Sequence, residues 1–411
     1  MRPDPDGDDS GPVGWYAPGC VHVGLVLTGG GARAAYQAGA LRALAEILPR
    51  GGSPFQTLAG ISAGAVNAAA LGGATNGFAE ATGKLVELWG KLSPDRVYRT
   101  DTVRMIGIGT RWARDLSAGG LFARSQINFL LDASPLRDFL HETLPLLQLR
   151  QALAAGELRG FAVTATSYAT NVAVTFFDGA PDIEPWVRAT RVGVREPIRL
   201  DHVMASAAIP IFFPPVRIRR TWYGDGSVRM TAPLSPAIHM GAERLLVIGV
   251  RRWRSPDELS PGGRPVRKDN LAPSEIAGTL LNAVFLESIE ADVERLETVN
   301  RMVDLVPAAD RAKLPHRVRV IPTLVLRPSR DLAQLAGDQY RRFPRILRYL
   351  FRGIGARGEN GSDLLSYLAF EPVYVQRLIE LGYEDTLARR RELEMFFGER
   401  RSTREGSRAR A

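Results

Sequence analysis

Apolar residues fall in two rhythms along this chain, and their alternation predicts strands followed by helices. Val21–Leu27 is a short, strongly apolar run, the mark of a buried strand. Ala34–Leu48 repeats instead at helical spacing, with Tyr36, Ala40, Leu41, Leu44, Ile47 and Leu48 on one face. Pro49-Arg50-Gly51-Gly52-Ser53-Pro54 ends that helix. Phe55–Ala59 is extended and apolar again, and Ala65–Leu71 is rich in helix formers. The opening order is therefore strand, glycine loop, helix, strand, tight turn, helix. Such an order builds a parallel sheet covered by helices, an α/β fold.

Farther along, the spacing predicts helices over Phe78–Trp89 and Ile127–Leu144, the second stopped by Pro145. Gly160–Ser167 and Val172–Phe177 read as a hairpin, and Val203–Ala208 as a short helix. Val216–Arg220 and Thr221–Tyr223 are extended runs beside a Gly224-Asp225-Gly226-Ser227 turn. Pro236–Met240 is a short helix and Arg244–Val250 a buried strand. Pro273–Leu305, Asp331–Phe351 and Asp363–Phe397 are helical, with a strand at Val318–Leu326 between them. The organisation that follows is a disordered tail (1–19), an α/β domain (20–255), a Pro/Gly-rich linker (256–272), a mainly helical region (273–398) and a disordered basic tail (399–411).

Composition narrows the function classes. The 411 residues are 45% hydrophobic and 24% charged, as in soluble globular proteins. The one cysteine, Cys20, excludes an intramolecular disulfide. The N-terminus is acidic and lacks the basic and apolar segments of a signal peptide. Leu58–Ala74 is built of Ala and Gly and reads as a buried helix rather than a membrane span. These features together predict a cytoplasmic protein.

The net charge of +9 is carried by arginine. It reads either as a compositional habit or as attraction to an anionic surface. Zinc spacings and aromatic-basic signatures are missing, so no nucleic-acid partner is expected. Tyr340–Arg352 mixes arginine with large apolar residues at helical spacing. It suits a helix lying on anionic lipid, and equally a core helix with a solvated face. The irregular apolar segment Met105–Trp112 is a second candidate for interface contact, or a lid.

The pentapeptide Gly60-Ile61-Ser62-Ala63-Gly64 lies between the second strand and its helix. A serine there sits on a tight strand-to-helix turn with its hydroxyl held clear, the arrangement of a nucleophile elbow. Such a serine needs a base and a place for negative charge. The loop Gly29-Gly30-Gly31-Ala32-Arg33 can turn backbone N–H groups into a concavity at a helix start. It fits neither a Walker A motif nor a dinucleotide fingerprint, where Ala34 replaces the last glycine. None of His22, His141, His202, His239 and His316 has catalytic context. Asp225 is either a base projected from a tight turn or an ordinary Asp-Gly turn.

Taken in this order, the glycine loop Gly29–Arg33, the elbow Gly60–Gly64 and Asp225-Gly226 resemble the patatin-like phospholipase family. Ala205-Ser206-Ala207-Ala208-Ile209-Pro210 and Phe213-Pro214-Pro215 resemble the segment this family places before its aspartate. The resemblance covers about residues 21–250. Ser362–Leu368 and Leu381-Gly382-Tyr383 are similar to bacterial members with a helical extension. Ala34 and Ser227 depart from the family pattern, each by a small residue.

The resemblance implies a three-layer α/β/α fold with a mostly parallel sheet and a largely helical C-terminal region. It implies a serine lipid acyl hydrolase of phospholipase A or lysophospholipase type, acting on phospholipid or another lipid ester. Ser62 would be the nucleophile and Asp225 its base. Gly29, Gly30, Gly31, Ala32 and Arg33 would form the oxyanion loop, and Gly60, Gly64 and Gly226 would support the motifs. No cofactor and no metal is expected. Two rivals stand beside this reading. One is an esterase with a Ser-Asp-His triad using His239 or His316, and the other is a non-enzymatic lipid-binding protein.

Overall fold

The computed structural model describes residues 21–49, 51–73, 77–99, 129–253, 273–285, 287–311, 313–315, 318–337 and 362–398, with single positions 342 and 348. The chain begins with β1 (Val23–Leu27), a 3-10 turn (Gly31–Ala34), α1 (Ala35–Ile47), β2 (Thr57–Ile61), α2 (Ala63–Gly72), α3 (Phe78–Lys91) and α4 (Pro94–Val97). Next come α5 (Ser134–Thr143), α6 (Leu146–Ala154), β3 (Gly160–Ser167), β4 (Ala173–Gly179), β5 (Trp186–Arg188), β6 (Arg191–Arg195) and α7 (Leu200–Ser206). They are followed by β7 (Val216–Ile218), β8 (Thr221–Asp225), a 3-10 turn (Gly226–Val228), α8 (Ser235–His239) and β9 (Arg244–Ile248). The C-terminal part holds α9 (Pro273–Phe285), α10 (Glu287–Asp304), α11 (Ala308–Arg311), β10 (Thr323–Leu326), α12 (Leu332–Gly337), α13 (Ser362–Leu368), α14 (Pro372–Ala388) and α15 (Arg390–Gly398).

Ten strands form one sheet, ordered β10-β9-β1-β2-β3-β4-β6-β5, with β8 joined to β3 and β7. The pairs from β10 to β3 are parallel, so the sheet is mostly parallel as its alternating strands and helices require. Alternation along the strands splits the core in two. Leu25, Leu27 and Leu58 point to the face covered by α1 and α2. Val26, Ala59 and Ala162 point to the face covered by α8 and α10. Each such buried side chain contributes about 1.5–3 kcal/mol of hydrophobic stabilisation for the larger residues.

One detail of register positions the site. On one edge of β3, β2 pairs with Gly160–Thr164 and ends at Ile61 opposite Thr164. The next position, Ala165, pairs with Asp225 of the antiparallel β8. Two strands thus meet nearly end to end on a shared neighbour, and Ser62, following Ile61, is carried to Asp225.

The C-terminal region is helical but not detached from the sheet. Its strand β10 extends the sheet beyond β9 in parallel register. Its helix α14 lies against α1, where Gly39 faces the Ile379 backbone and Gly382 faces the Tyr36 and Ala40 backbone. No described helix is long and apolar enough to cross a membrane.

Several sequence expectations are corrected. The helix expected over Ile127–Leu144 begins only at Ser134, with Pro135 in its first turn. That helix does stop before Pro145, at Thr143, but Pro145 then caps a further helix, α6, that went unread. The short strands β5 and β6 went unread. The strand expected at Val318–Leu326 is only Thr323–Leu326. Asp225 is not in a hairpin turn. The β7–β8 turn lies at Arg219-Arg220, with Arg219 at φ 54°, and Asp225 ends β8. Outside the described residues lie both tails, Cys20, Met105–Trp112, nearly all of the 254–272 linker stretch, His316 and all but two positions of Tyr340–Arg352.

Candidate active site

Ser62 stands between β2 and α2 with φ 56° and ψ −131°, a conformation disfavoured for any residue with a Cβ. Several contacts hold it there. Its N–H donates to Ser206 Oγ at 2.8 Å, and Ser206 Oγ donates to the Thr164 carbonyl at 2.6 Å. A Cβ at Gly60 would lie 2.5 Å from Ala65 Cα, and one at Gly64 would run into the Leu27 backbone. The elbow therefore needs small residues because α2 crosses β1 and β2 at backbone contact.

Asp225 is fully buried, and Ser62 is only 1% exposed. Ser62 Oγ donates to Asp225 Oδ2 at 2.6 Å, while Asp225 Oδ1 accepts from Ser227 N–H at 2.9 Å. The Asp225 backbone is fixed as well: its N–H donates to the Ala208 carbonyl and its carbonyl accepts from Thr166 Oγ1. Burial pushes the Asp225 carboxyl up to about 7, and the hydrogen bonds from Ser62 and Ser227 pull partly against that rise. A carboxylate with that affinity for protons can act as a base near neutral pH, which an aspartate in water does poorly.

The glycine loop borders the serine. A Cβ on Gly29 would lie 2.8 Å from Ser62 Cβ and 2.6 Å from Ser227 Oγ. Gly31 takes φ 57°, and a Cβ there would strike the Tyr367 carbonyl. Among the described residues, nothing accepts a hydrogen bond from the N–H of Gly30 or Gly31. The N-terminus of the ten-residue α2 lies at Ser62 and adds positive potential there.

Ala32 is buried in the 3-10 turn, and Arg33 turns away from the serine. Arg33 is 3% exposed and reaches α13. Its Nε donates to Ser366 Oγ at 2.7 Å, Nη2 donates to Asp363 Oδ1 at 3.1 Å, and the guanidinium lies 4.5 Å over the Tyr367 ring. These contacts tie the glycine loop to α13. Beneath the loop, Trp89 Nε1 donates to Asn67 Oδ1, Asn67 Nδ2 to Gln37 Oε1, and Gln37 Nε2 to the Thr28 and Ile248 carbonyls.

Beside Ser62 a cavity of about 40 Å³ runs between Val66, Trp89, Leu136, Leu140, Phe213 and Phe370. Its walls are almost wholly apolar, and its volume is well below the roughly 300–1,000 Å³ of small-molecule sites.

Among the described residues, three histidines lie in other settings. His202 Nδ1 accepts from Arg199 N–H and its ring stacks on Phe176, with burial lowering its pKa to about 4. His239 lies flat on Trp186 at 4.4 Å, and His141 is on the surface of α5. No cluster of potential metal ligands occurs among the described residues. Sequence reasoning missed the parts of Ser206, Thr166, Asp363 and Ser366. Ser206 stood inside a quoted segment, but nothing local connects it to a serine 144 residues away.

The family model for patatin-like phospholipases matches residues 25–238. Among solved structures, human GIVD cytosolic phospholipase A2, bound to methyl gamma-linolenyl fluorophosphonate, is 14% identical with a TM-score of 0.37. That match covers 92% of this chain, which spans 60% of the human one. VipD from Legionella pneumophila is 13% identical with a TM-score of 0.31, over 89% of this chain and 67% of its own. The complex of SpcU with ExoU from Pseudomonas aeruginosa is matched at 14% identity and a TM-score of 0.24, over 94% and 83%. No curated protein matches.

Proposed function

Since the chain belongs to the patatin-like phospholipase family, we propose that it is a serine lipid acyl hydrolase working through Ser62 and Asp225. The observation that carries this reading is the 2.6 Å hydrogen bond between the two side chains in a buried site. Asp225 takes the hydroxyl proton as Ser62 Oγ attacks the acyl carbonyl. The resulting oxyanion is held by the N–H groups of Gly30 and Gly31 and by the start of α2. Collapse breaks the ester C–O bond, and the leaving oxygen takes the proton from Asp225. Water then gives its proton to Asp225 and attacks the acyl-serine. A fatty acid leaves, and Ser62 recovers its proton.

The substrate is a phospholipid or lysophospholipid ester, whose first acyl carbons meet the apolar wall by Val66 and Phe213. Reaching it requires contact with a membrane or micelle surface. Arg33, by tying the glycine loop to α13, acts as a positioning residue rather than a donor to the oxyanion.

The test is release of fatty acid from phospholipid vesicles by the full chain and by Ser62→Ala. Release by the wild type and its loss in Ser62→Ala support the reading. Equal release by both rejects it. His239→Ala and His316→Ala each retain turnover here, whereas a triad would lose it in one of them.

A further inference from the structure

A second hollow lies on the sheet face opposite α1 and α2. It is a cavity of about 550 Å³ between the β5–β6 hairpin, α8 and α10. Five arginines and three carboxylates line it, which leaves it cationic. The balance at its centre is more uneven than that count. Asp182 is bound to Arg159. Asp292 spends one oxygen on Leu234 N–H at 3.0 Å and lies 3.7 Å from Arg295. Arg191 is left over. Its Nη1 is buried and has no hydrogen-bond partner. Burial and the nearby positive charge of Arg295 and Arg188 all lower its pKa, against Asp292 alone raising it.

A buried guanidinium N–H without an acceptor is costly, and structures rarely retain one without a reason. Beyond the Arg159–Asp182 pair, Arg188, Arg191, Arg295 and Arg319 face Asp292 and Glu184, an excess of two positive charges. A phosphate monoester carries close to the two negative charges that would balance them. It also offers the paired oxygens that a guanidinium fork recognises. The cavity is larger than an inorganic ion needs. It falls within the roughly 300–1,000 Å³ of small-molecule sites, and Leu234, Ile238 and Leu296 supply an apolar wall.

We propose that this cavity binds a small organic phosphate monoester, with Arg191 as the central ligand to the phosphate. The proposal needs nothing from the Ser62 reading, and its test uses the full-length Ser62→Ala protein so that no probe is consumed. Calorimetric titration would compare glycerol 3-phosphate, inorganic phosphate, octanoate and lysophosphatidic acid below its micelle concentration. Glycerol 3-phosphate is expected to bind saturably, and Arg191→Gln to weaken it by about tenfold or more. Without ligand, Arg191→Gln should melt no lower than its parent, since it removes an unpartnered charge. Tighter binding of lysophosphatidic acid assigns the site to a lipid headgroup, and equal binding to a soluble ester. Should Arg191→Gln fail to fold, Arg295→Gln serves with a smaller expected loss. The proposal is overturned if no phosphate probe binds, if Arg191→Gln and Arg295→Gln leave affinity unchanged, if inorganic phosphate binds as tightly as the organic esters, or if octanoate binds as tightly as glycerol 3-phosphate.

Discussion

The two hollows on this sheet differ in every respect that matters for chemistry. The one beside Ser62 holds about 40 Å³ and is walled by hydrocarbon, and the serine on its wall is hydrogen-bonded to a carboxylate that is fully buried. The one across the sheet holds about 550 Å³ and is crowded with arginine. Size would direct attention to the second. Yet the small hollow has the features that shift reactivity: desolvation of Asp225, a short hydrogen bond to Ser62, and N–H groups at a glycine turn. Low dielectric makes each of these stronger than it would be in water. The large hollow gathers charge without a nucleophile bonded to a base, and suits binding rather than bond cleavage.

This contrast can be broken most forcefully at the dyad. Ser62→Ala or Asp225→Asn should lower lipid ester turnover by about 10⁴-fold or more, the two changes together costing little beyond either alone. Arg191→Gln on the other face should leave turnover within about twofold, as expected of a change across the sheet from the chemistry. Vesicle hydrolysis assays compare the three directly.

Next in size is Gly31→Ala. Its φ of 57° and the approach of the Tyr367 carbonyl leave no room for a methyl group. Strain and overpacking together should destabilise by about 2–5 kcal/mol and displace the loop. A lowered melting temperature with reduced turnover is the expected result. Arg33→Lys should be milder, at roughly tenfold in kcat, because an ammonium cannot reproduce the fork to Asp363 and Ser366.

The smallest effects to resolve are with pH. Asp225 must be ionised to accept the serine proton, so kcat/KM should fall below a pH of about 7 rather than near 4. The same shift bears on stability. Because the folded-state pKa lies above the unfolded 3.8, this group favours the fold fully below pH 3.8, and the benefit is lost as pH rises through about 7. Asp225→Asn removes the buried charge. It should therefore raise the melting temperature at pH 8 relative to wild type while abolishing turnover.

Much of the fold was legible because strands and helices alternate in the first quarter of the chain and helix formers follow the elbow. The register that joins β8 to β3 was not. Gly224-Asp225-Gly226 carries the residues of a turn, but pairing of Tyr223–Asp225 with Ala165–Ser167 overrides that local preference. Pro145 ends α5 as its sequence suggests, but a proline at a cap also starts a helix, and α6 was not legible. β5 and β6 are short and arginine-rich, so periodicity had little to show. In the candidate site, Ser62 and the glycine loop announce themselves by local pattern. Their supports do not: Arg33 meets its partners more than 300 residues later, and only folding reveals which α13 side chains it meets.

The central claim is that Ser62 is made nucleophilic by Asp225. Its most direct test is the site and rate of labelling by a fluorophosphonate, read by peptide mass spectrometry in wild type and Asp225→Asn. A single adduct on Ser62, forming far more slowly in Asp225→Asn, is the predicted result. An adduct on another serine, or equal rates on Ser62 in the two proteins, would contradict it.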